Sequence, residues 1–261
     1  MLRETLGTVE QIRNENLLEV IIVDDGSSEA ETVRILREAA DVGHCVLSQP
    51  NRRVSAARNT GIRSAKGEFI LPLDSDNRIR DVYLTEAVSL LKENPSLGVI
   101  YTDAEYFGEK TGRWHVPDFN LLSLIRMNFI DVCALYRKDL WTQVGGYDEE
   151  MPWMGFEDWD FWLRVASHGG NFVHIPKIGF DYRVQTNSLV AEANEHAAEI
   201  TAYIFNKPEL AFYNLVRHVD EEAQNLREGI RTIQASNSYR LGRALLAPAR
   251  FLRKTWRRFK H

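Results

Sequence analysis

Cysteine is scarce in this chain: Cys45 and Cys133 are the only two in 261 residues. That excludes a disulfide scaffold and fits a reducing compartment. Each lies among β-branched or aliphatic neighbours and reads as a buried small hydrophobe. No apolar run approaches the roughly 18 to 20 residues that span a bilayer. Met1-Leu2-Arg3-Glu4-Thr5-Leu6 lacks the pattern of a signal peptide, so neither a membrane span nor a secretion leader is expected. Internal repeats and low-complexity blocks are missing too. Acidic residues are absent from Ser236 onward, where eight Lys or Arg occur, whereas the first 235 residues hold 24 basic against 37 acidic. An acidic body opposes nucleic acid as a partner.

What is present is the composition of an ordinary globular chain, 44% hydrophobic and long enough for one large α/β domain with an appendage. Leu18 to Val23 is a β-branched run ending in Asp24-Asp25-Gly26-Ser27, and Ser28 with Glu31 reads as a capping box opening a helix through Ala40. The alternation continues with a strand at Cys45 to Leu47, a helix at Val54 to Ala65 and a strand at Glu68 to Leu73. A helix at Tyr83 to Leu91 and a strand at Leu97 to Tyr101 follow. This rhythm predicts a largely parallel, doubly wound sheet. Further on come a strand at Asp131 to Tyr136, a short helix around Leu140, a helix from Phe161 to Ala166 and two helices between Ala191 and Ile233.

Asp74 and Asp76, in Leu73-Asp74-Ser75-Asp76-Asn77, stand where an apolar strand stops. Two such carboxylates can hold a divalent cation against a phosphate. In doubly wound sheets ligands bind beyond the carboxyl ends of the strands, so Asp24-Asp25 and Asp74-Ser75-Asp76 are expected to face one crevice.

Four ordered motifs then carry a resemblance. They are Val23-Asp24-Asp25-Gly26-Ser27, Asn51-Arg52-Arg53-Val54-Ser55-Ala56-Ala57-Arg58-Asn59-Thr60-Gly61, Leu73-Asp74-Ser75-Asp76-Asn77 and Gly155-Phe156-Glu157-Asp158-Trp159-Asp160. Together they resemble the inverting glycosyltransferases of family 2, which have the GT-A fold. The resemblance implies a mostly parallel, Rossmann-like sheet flanked by helices, with a C-terminal helical extension. It implies a nucleotide-sugar donor, most often a UDP-sugar, a glycan or lipid-linked acceptor, and Mg²⁺ or Mn²⁺ as cofactor. By the same resemblance Asp158 is the base, Glu157 orients the acceptor, and Asp76 is the metal ligand. Asp24, Asp25, Arg58, Asn59, Asp74 and Ser75 surround the nucleotide sugar. Trp153 is a candidate platform for the acceptor sugar, whereas Trp159 and Trp162, at helical spacing, read as core and Asp160 as a helix cap.

Two departures stand out. Gln185 occupies the place where many relatives have a metal-binding histidine, and His168 and His174 are poor substitutes by position. The family's first strand, expected between the strands ending at Asp25 and Asp74, has no counterpart, which reads as an N-terminally truncated record. A non-catalytic GT-A-like module that binds a nucleotide sugar or glycan is the alternative. The expected divisions are 1–190 for the transferase domain, 191–235 for a helical extension and 236–261 for a basic amphipathic tail. That tail suits an anionic membrane surface and a cytoplasmic protein peripheral to the inner face of the cell membrane.

Overall fold

The computed structural model describes residues 1–12, 19–186 and 189–241. Leu18, Asn187, Ser188 and the tail beyond Leu241 therefore lie outside the described residues. The chain forms two compact units, Met1–Ala211 and Phe212–His261, so the helices just after residue 190 group with the first unit.

In the first unit, α1 (Leu2–Gln11) precedes β1 (Ile21–Asp24), α2 (Ala30–Asp41) and β2 (Cys45–Ser48). Then come α3 (Arg53–Ser64), β3 (Phe69–Ile70), β4 (Arg78–Ile79) and α4 (Asp81–Glu93). The middle of the chain forms β5 (Val99–Gly108), β6 (Gly112–Trp114), α5 (Leu121–Arg126), β7 (Leu135–Arg137) and α6 (Lys138–Gln143). The unit ends with α7 (Glu157–Ser167), β8 (Phe172–Val184), α8 (Leu189–Glu195) and α9 (Ala197–Phe205). The second unit is described as one long helix, α10 (Ala211–Ala235), and a further turn to Leu241.

The α/β class stands, but the sheet is mixed rather than mostly parallel. β1 and β2 form a parallel pair of their own, and the second sheet runs β3-β7-β5-β8-β4 with β6 on β5. Only β5 and β8 are parallel there; β3–β7, β5–β7, β5–β6 and β4–β8 are antiparallel. Parallel pairing needs a covering crossover, and β5 turns straight back through a hairpin to β6. No strand stands between β1 and β3 among the described residues, and the two belong to different sheets. All four residues of β1 are accordingly only half-buried.

The core lies between α4 and the second sheet. Tyr83, Leu84, Ala87, Val88 and Leu91 recur at helical spacing and meet Ile100, Leu135, Ile175 and Phe180. The Tyr83 hydroxyl donates to Ile100 O at 2.9 Å and accepts from Leu135 N at 2.7 Å, tying β5 to β7. β8 carries Pro176 at a register shift between Thr102 and Ala104 of β5, where a bulge spares the missing N–H.

Three local expectations change. Cys133 is buried, but Cys45 is exposed, because it starts an edge strand of a two-stranded sheet. α2 starts at Ala30 with Glu29 as N-cap and no side-chain cap among the described residues, since Glu31 is held by Arg34 at 2.6 Å. Asp160 is not a cap either: α7 already begins at Glu157, and the fully buried Asp160 pairs with Arg164 at 2.7 Å and Lys207 at 2.5 Å. Trp159 and Trp162 are core, their indole N–H groups donating to Leu124 O and Ile130 O.

Candidate active site

After β3 the chain leaves the sheet and folds into a tight loop, with Asn77 N donating to Asp74 O at 3.1 Å. The Thr5 hydroxyl of α1 lies 2.9 Å from Ser75 O and 2.7 Å from Asn77 O, so the loop is held from below. Ser75 is exposed at its tip. Residues from the end of β8 grip the other side: Arg183 Nε donates to Asp76 O at 3.1 Å and Arg183 N to Asn77 Oδ1 at 2.9 Å. Gln185 Nε2 donates to Asp76 Oδ2 at 2.9 Å, so Gln185 does stand beside Asp76. Burial, and then the charge of Asp74, raise the Asp76 carboxyl above its ordinary range.

Arg58 joins this loop to the second acidic motif. Its guanidinium donates to Asp74 Oδ1 at 2.7 Å and to Glu157 Oε1 at 2.6 Å. The arginine and Glu157 are both buried, and Asp74 is partly open. Burial works against the Arg58 charge, but Asp74 and then Glu157 outweigh it and hold the proton firmly. Glu157 Oε2 also accepts from Gly155 N at 2.5 Å, so this carboxylate is fully engaged within the protein.

Asp158, one residue on, opens instead into a cleft of about 420 Å³ lined by Trp114, Asn128, Asp131, Trp159 and Tyr182. Asn128 Nδ2 donates to its Oδ1 at 2.9 Å. Burial, the Glu157 charge and the Asp131 charge push the Asp158 carboxyl well above the ordinary range, against the pull of Arg58. Asp131 shares this environment: burial and Asp74 raise it to about 7, although Cys133 N donates to it at 2.8 Å. Tyr182 lines the same cleft, and its phenol is raised by burial and then by the charges of Asp131, Asp74, Asp158 and Asp76. Trp114 stacks on Tyr106 at 5.6 Å and meets Tyr182 edge-on at 5.5 Å, building an aromatic wall.

A second cleft, of about 460 Å³, holds Asp25, Asn51, Arg53, Trp153 and Glu192. Asp25 Oδ1 accepts from Gln49 Nε2 at 2.7 Å and Arg52 N at 2.9 Å, and Gln49 in turn accepts from Thr60. Asp24 Oδ1 closes its own turn through Ser27 N at 2.9 Å. Arg53, at φ 69, is a non-glycine residue in the left-handed region, and its guanidinium donates to Met151 O and Glu149 O. α8 is a wall common to both clefts, with Val190 and Asn194 on the first and Leu189 and Glu192 on the second. Trp153 has one ring face stacked on His196 at 3.6 Å, and its N–H donates to Glu199.

Asn59 is not at the crevice. It is buried, donating to Tyr147 O and Glu149 Oε1 and accepting from Trp141 Nε1 and Tyr147 N, so its amide is saturated by protein partners. The structure thus gathers Arg58, Asp74, Asp76, Glu157 and Asp158, sets Asp25 and Trp153 on the neighbouring cleft, and turns Asn59 into a brace. His174 is occupied between Asp103 and Asp118, and His168 against Arg164 O. Among the described residues no three His, Cys, Asp or Glu side chains converge into a metal cluster. Asp131 and Tyr182 are the additions. Asp131 reads in sequence as the first residue of a strand, whereas β7 starts only at Leu135; the signal was an acid directly preceding an unbroken apolar run.

Helices flanking a curled mixed sheet, with acidic loops gathered on one arginine, define a protein of the GT-A glycosyltransferase fold. Residues 1–148 match glycosyl transferase family 2, and the chain belongs to that family. It is 29% identical over 182 residues to the chondroitin synthase of Escherichia coli, covering 66% of this chain and 26% of that one. The uncharacterized glycosyltransferase YwdF of Bacillus subtilis is 26% identical over 170 residues, covering 60% and 61%. The chain thus spans less than two thirds of the length of these relatives. Among solved structures, S. aureus TarS 1-349 in complex with UDP-GlcNAc superposes with a TM-score of 0.66 at 20% identity, covering 81% of this chain and 65% of that one.

Proposed function

We propose that the chain transfers a sugar from a nucleoside-diphosphate sugar, with UDP as the nucleotide, to a hydroxyl of a glycan or lipid-linked glycan, by single displacement with inversion. The observation that carries this reading is the Arg58 bridge, which fixes the Asp-x-Asp loop and the Glu157-Asp158 pair to one point. Solved complexes of TarS with UDP and UDP-GlcNAc support the choice of donor.

Asp158 is the base. Inversion needs a proton acceptor opposite the departing diphosphate, and a carboxylate whose proton affinity is raised by burial is a stronger base than one in water. Asn128 orients it. Glu157, locked on Arg58 and Gly155 N, positions Asp158 instead of reaching an acceptor. Asp25, with Asp24 bracing its turn, contacts the nucleoside from the second cleft, and the walls of Trp114 and Trp153 receive sugar rings. Ser75, exposed beside Asp76, offers its hydroxyl to the diphosphate.

The residues present fit Mg²⁺ or Mn²⁺. Asp76 is a half-buried carboxyl raised by burial and by Asp74, and a cation relieves both penalties. Asp76 and Asp74 would supply hard oxygen donors, with Gln185 beside them. When bound, the cation neutralises the charge that gathers on the leaving diphosphate. The basic tail keeps the enzyme on the inner, anionic face of the cell membrane, where lipid-carried acceptors lie.

The test is incubation with a panel of nucleotide sugars and glycan acceptors, following nucleotide release and the anomeric configuration of the product by NMR. Turnover with inverted product, lost in Asp158→Asn, is the expected result. Donor binding without turnover in the parent chain selects the binding-module reading; a product of retained configuration overturns the assignment of Asp158.

A further inference from the structure

The second unit carries a feature with no place in sugar transfer. Phe212, Val216, Val219, Ala223, Leu226, Ile230 and Ile233 follow one another along α10 in alternating steps of four and three. An unbroken 4-3 alternation has a mean period of 3.5, the signature of a left-handed supercoil seam, whereas the stripe of a helix on a globular core drifts with 3.6. Five of these side chains, Phe212, Val219, Leu226, Ile230 and Ile233, are 53% to 69% exposed. A continuous apolar stripe over three heptads is not left to water without a partner.

We propose that α10 pairs with α10 of a second copy of this chain as a parallel, in-register, two-stranded coiled coil. Three features select that occupant. Placing Val216, Ala223 and Ile230 at heptad position a and Phe212, Val219, Leu226 and Ile233 at d makes every seam position apolar, with β-branched Val216 and Ile230 at two of the three a positions and Leu226 at the central d. In the same frame Glu222 falls at g and Arg227 at the following e, so each chain sets Glu222 opposite the partner's Arg227, and the two-fold repeats the attraction. The other g to e pairs, Leu215 with Asp220 and Gly229 with Gln234, bring no like charges together.

The third feature is the polar face. Arg217, Arg227 and Arg231 are outnumbered by Asp220, Glu221, Glu222 and Glu228. A helix made for an anionic lipid surface carries Lys and Arg there, so this face disfavours a membrane as occupant. Arg217 pairs with Glu221 at 2.8 Å on the outer face of the helix, and Gln224 Nε2 donates to Asp220 at 2.7 Å within it.

Sedimentation velocity on the whole chain at micromolar concentration tests this. A dimer is expected, and Leu226→Glu with Ile230→Glu converts it to monomer while the circular dichroism and thermal transition stay those of the parent. Glu222→Arg or Arg227→Glu alone weakens dimerisation by about tenfold, because each makes two symmetry-related pairs repulsive. The double exchange restores it. A parent chain that stays monomeric, a dimer indifferent to the two seam glutamates, or a double exchange no tighter than the single ones overturns the proposal.

Discussion

At Asp131 the sign of the charge effect is opposite to that of a surface aspartate. Burial and Asp74 raise its carboxyl from 3.8 to about 7, so between those limits the folded chain binds a proton that the unfolded chain has released. Its stabilising contribution is complete in acid and is lost as the pH rises through that window. Asp131→Asn is therefore expected to be more stable than the parent near about pH 8 and equal to it near about pH 3, as measured by urea unfolding. Catalysis is expected to move the other way, since Asp158, as the proposed base, must be ionised to act. Removing the Asp131 charge lowers the Asp158 carboxyl, so the acid limb of kcat/KM shifts to lower pH in Asp131→Asn. Asn59 is the counter-case among single residues. Its four hydrogen bonds to three residues predict that Asn59→Ala loses about 2 to 3 kcal/mol of stability, while the KM for the donor in folded enzyme stays unchanged. Asp131 was not singled out, whereas the acids gathered on Arg58 were legible because each stood at the end of a run with strand or helix character. The role of Asn59 was not, since a saturated amide and an amide that binds ligand look alike until the Gly145-Gly146-Tyr147 turn is folded onto it.

Elements meet the site through a few close approaches. Gly155 lies against α8: a Cβ there would stand 2.7 Å from Leu189 O and 2.8 Å from the Ala193 methyl, and its φ of +113 is open only to glycine. Gly155→Ala is expected to push α8 off both clefts, costing about 1 to 3 kcal/mol and raising KM for donor and acceptor together in steady-state assays. Arg58 links α3, the loop after β3 and the first turn of α7, and Arg58→Met leaves a buried glutamate without its cation. A loss of about 3 kcal/mol in denaturant unfolding is expected, with transfer abolished. Among the elements themselves, α3, α4 and β2 were readable to within two residues from period and composition. β3 shrank from the six residues expected to two, and β4 and β6 were not foreseen, because short edge pairings depend on partners far along the chain. β8 was not among the expected strands, although its 13 residues are the backbone of the second sheet.

On the scale of the molecule the two sheets differ in how well they are covered. β1 and β2 are paired only with each other, and no residue of β1 is fully buried, while β5 and β8 lie in the core. Hydrogen exchange is expected to proceed through β1 and β2 before β5 and β8, in keeping with a two-stranded unit of low local stability. Strand direction stayed illegible in the sequence, since alternation of helix and strand signals a layered α/β fold but not which neighbour each strand takes. The Arg58 bridge has a last consequence, for the order in which the protein comes into being. Its two bonds reach 16 and 99 positions along the chain, so the contact with Asp74 closes a short loop and the contact with Glu157 a very long one. During synthesis Arg58 can meet Asp74 long before residue 157 leaves the ribosome, and loop-closure entropy ranks the two events the same way in refolding. Competence for the proposed transfer is thus expected to be a late acquisition: regain of activity should lag behind regain of secondary structure, and mark the moment when the two halves of the acidic crevice first hold each other.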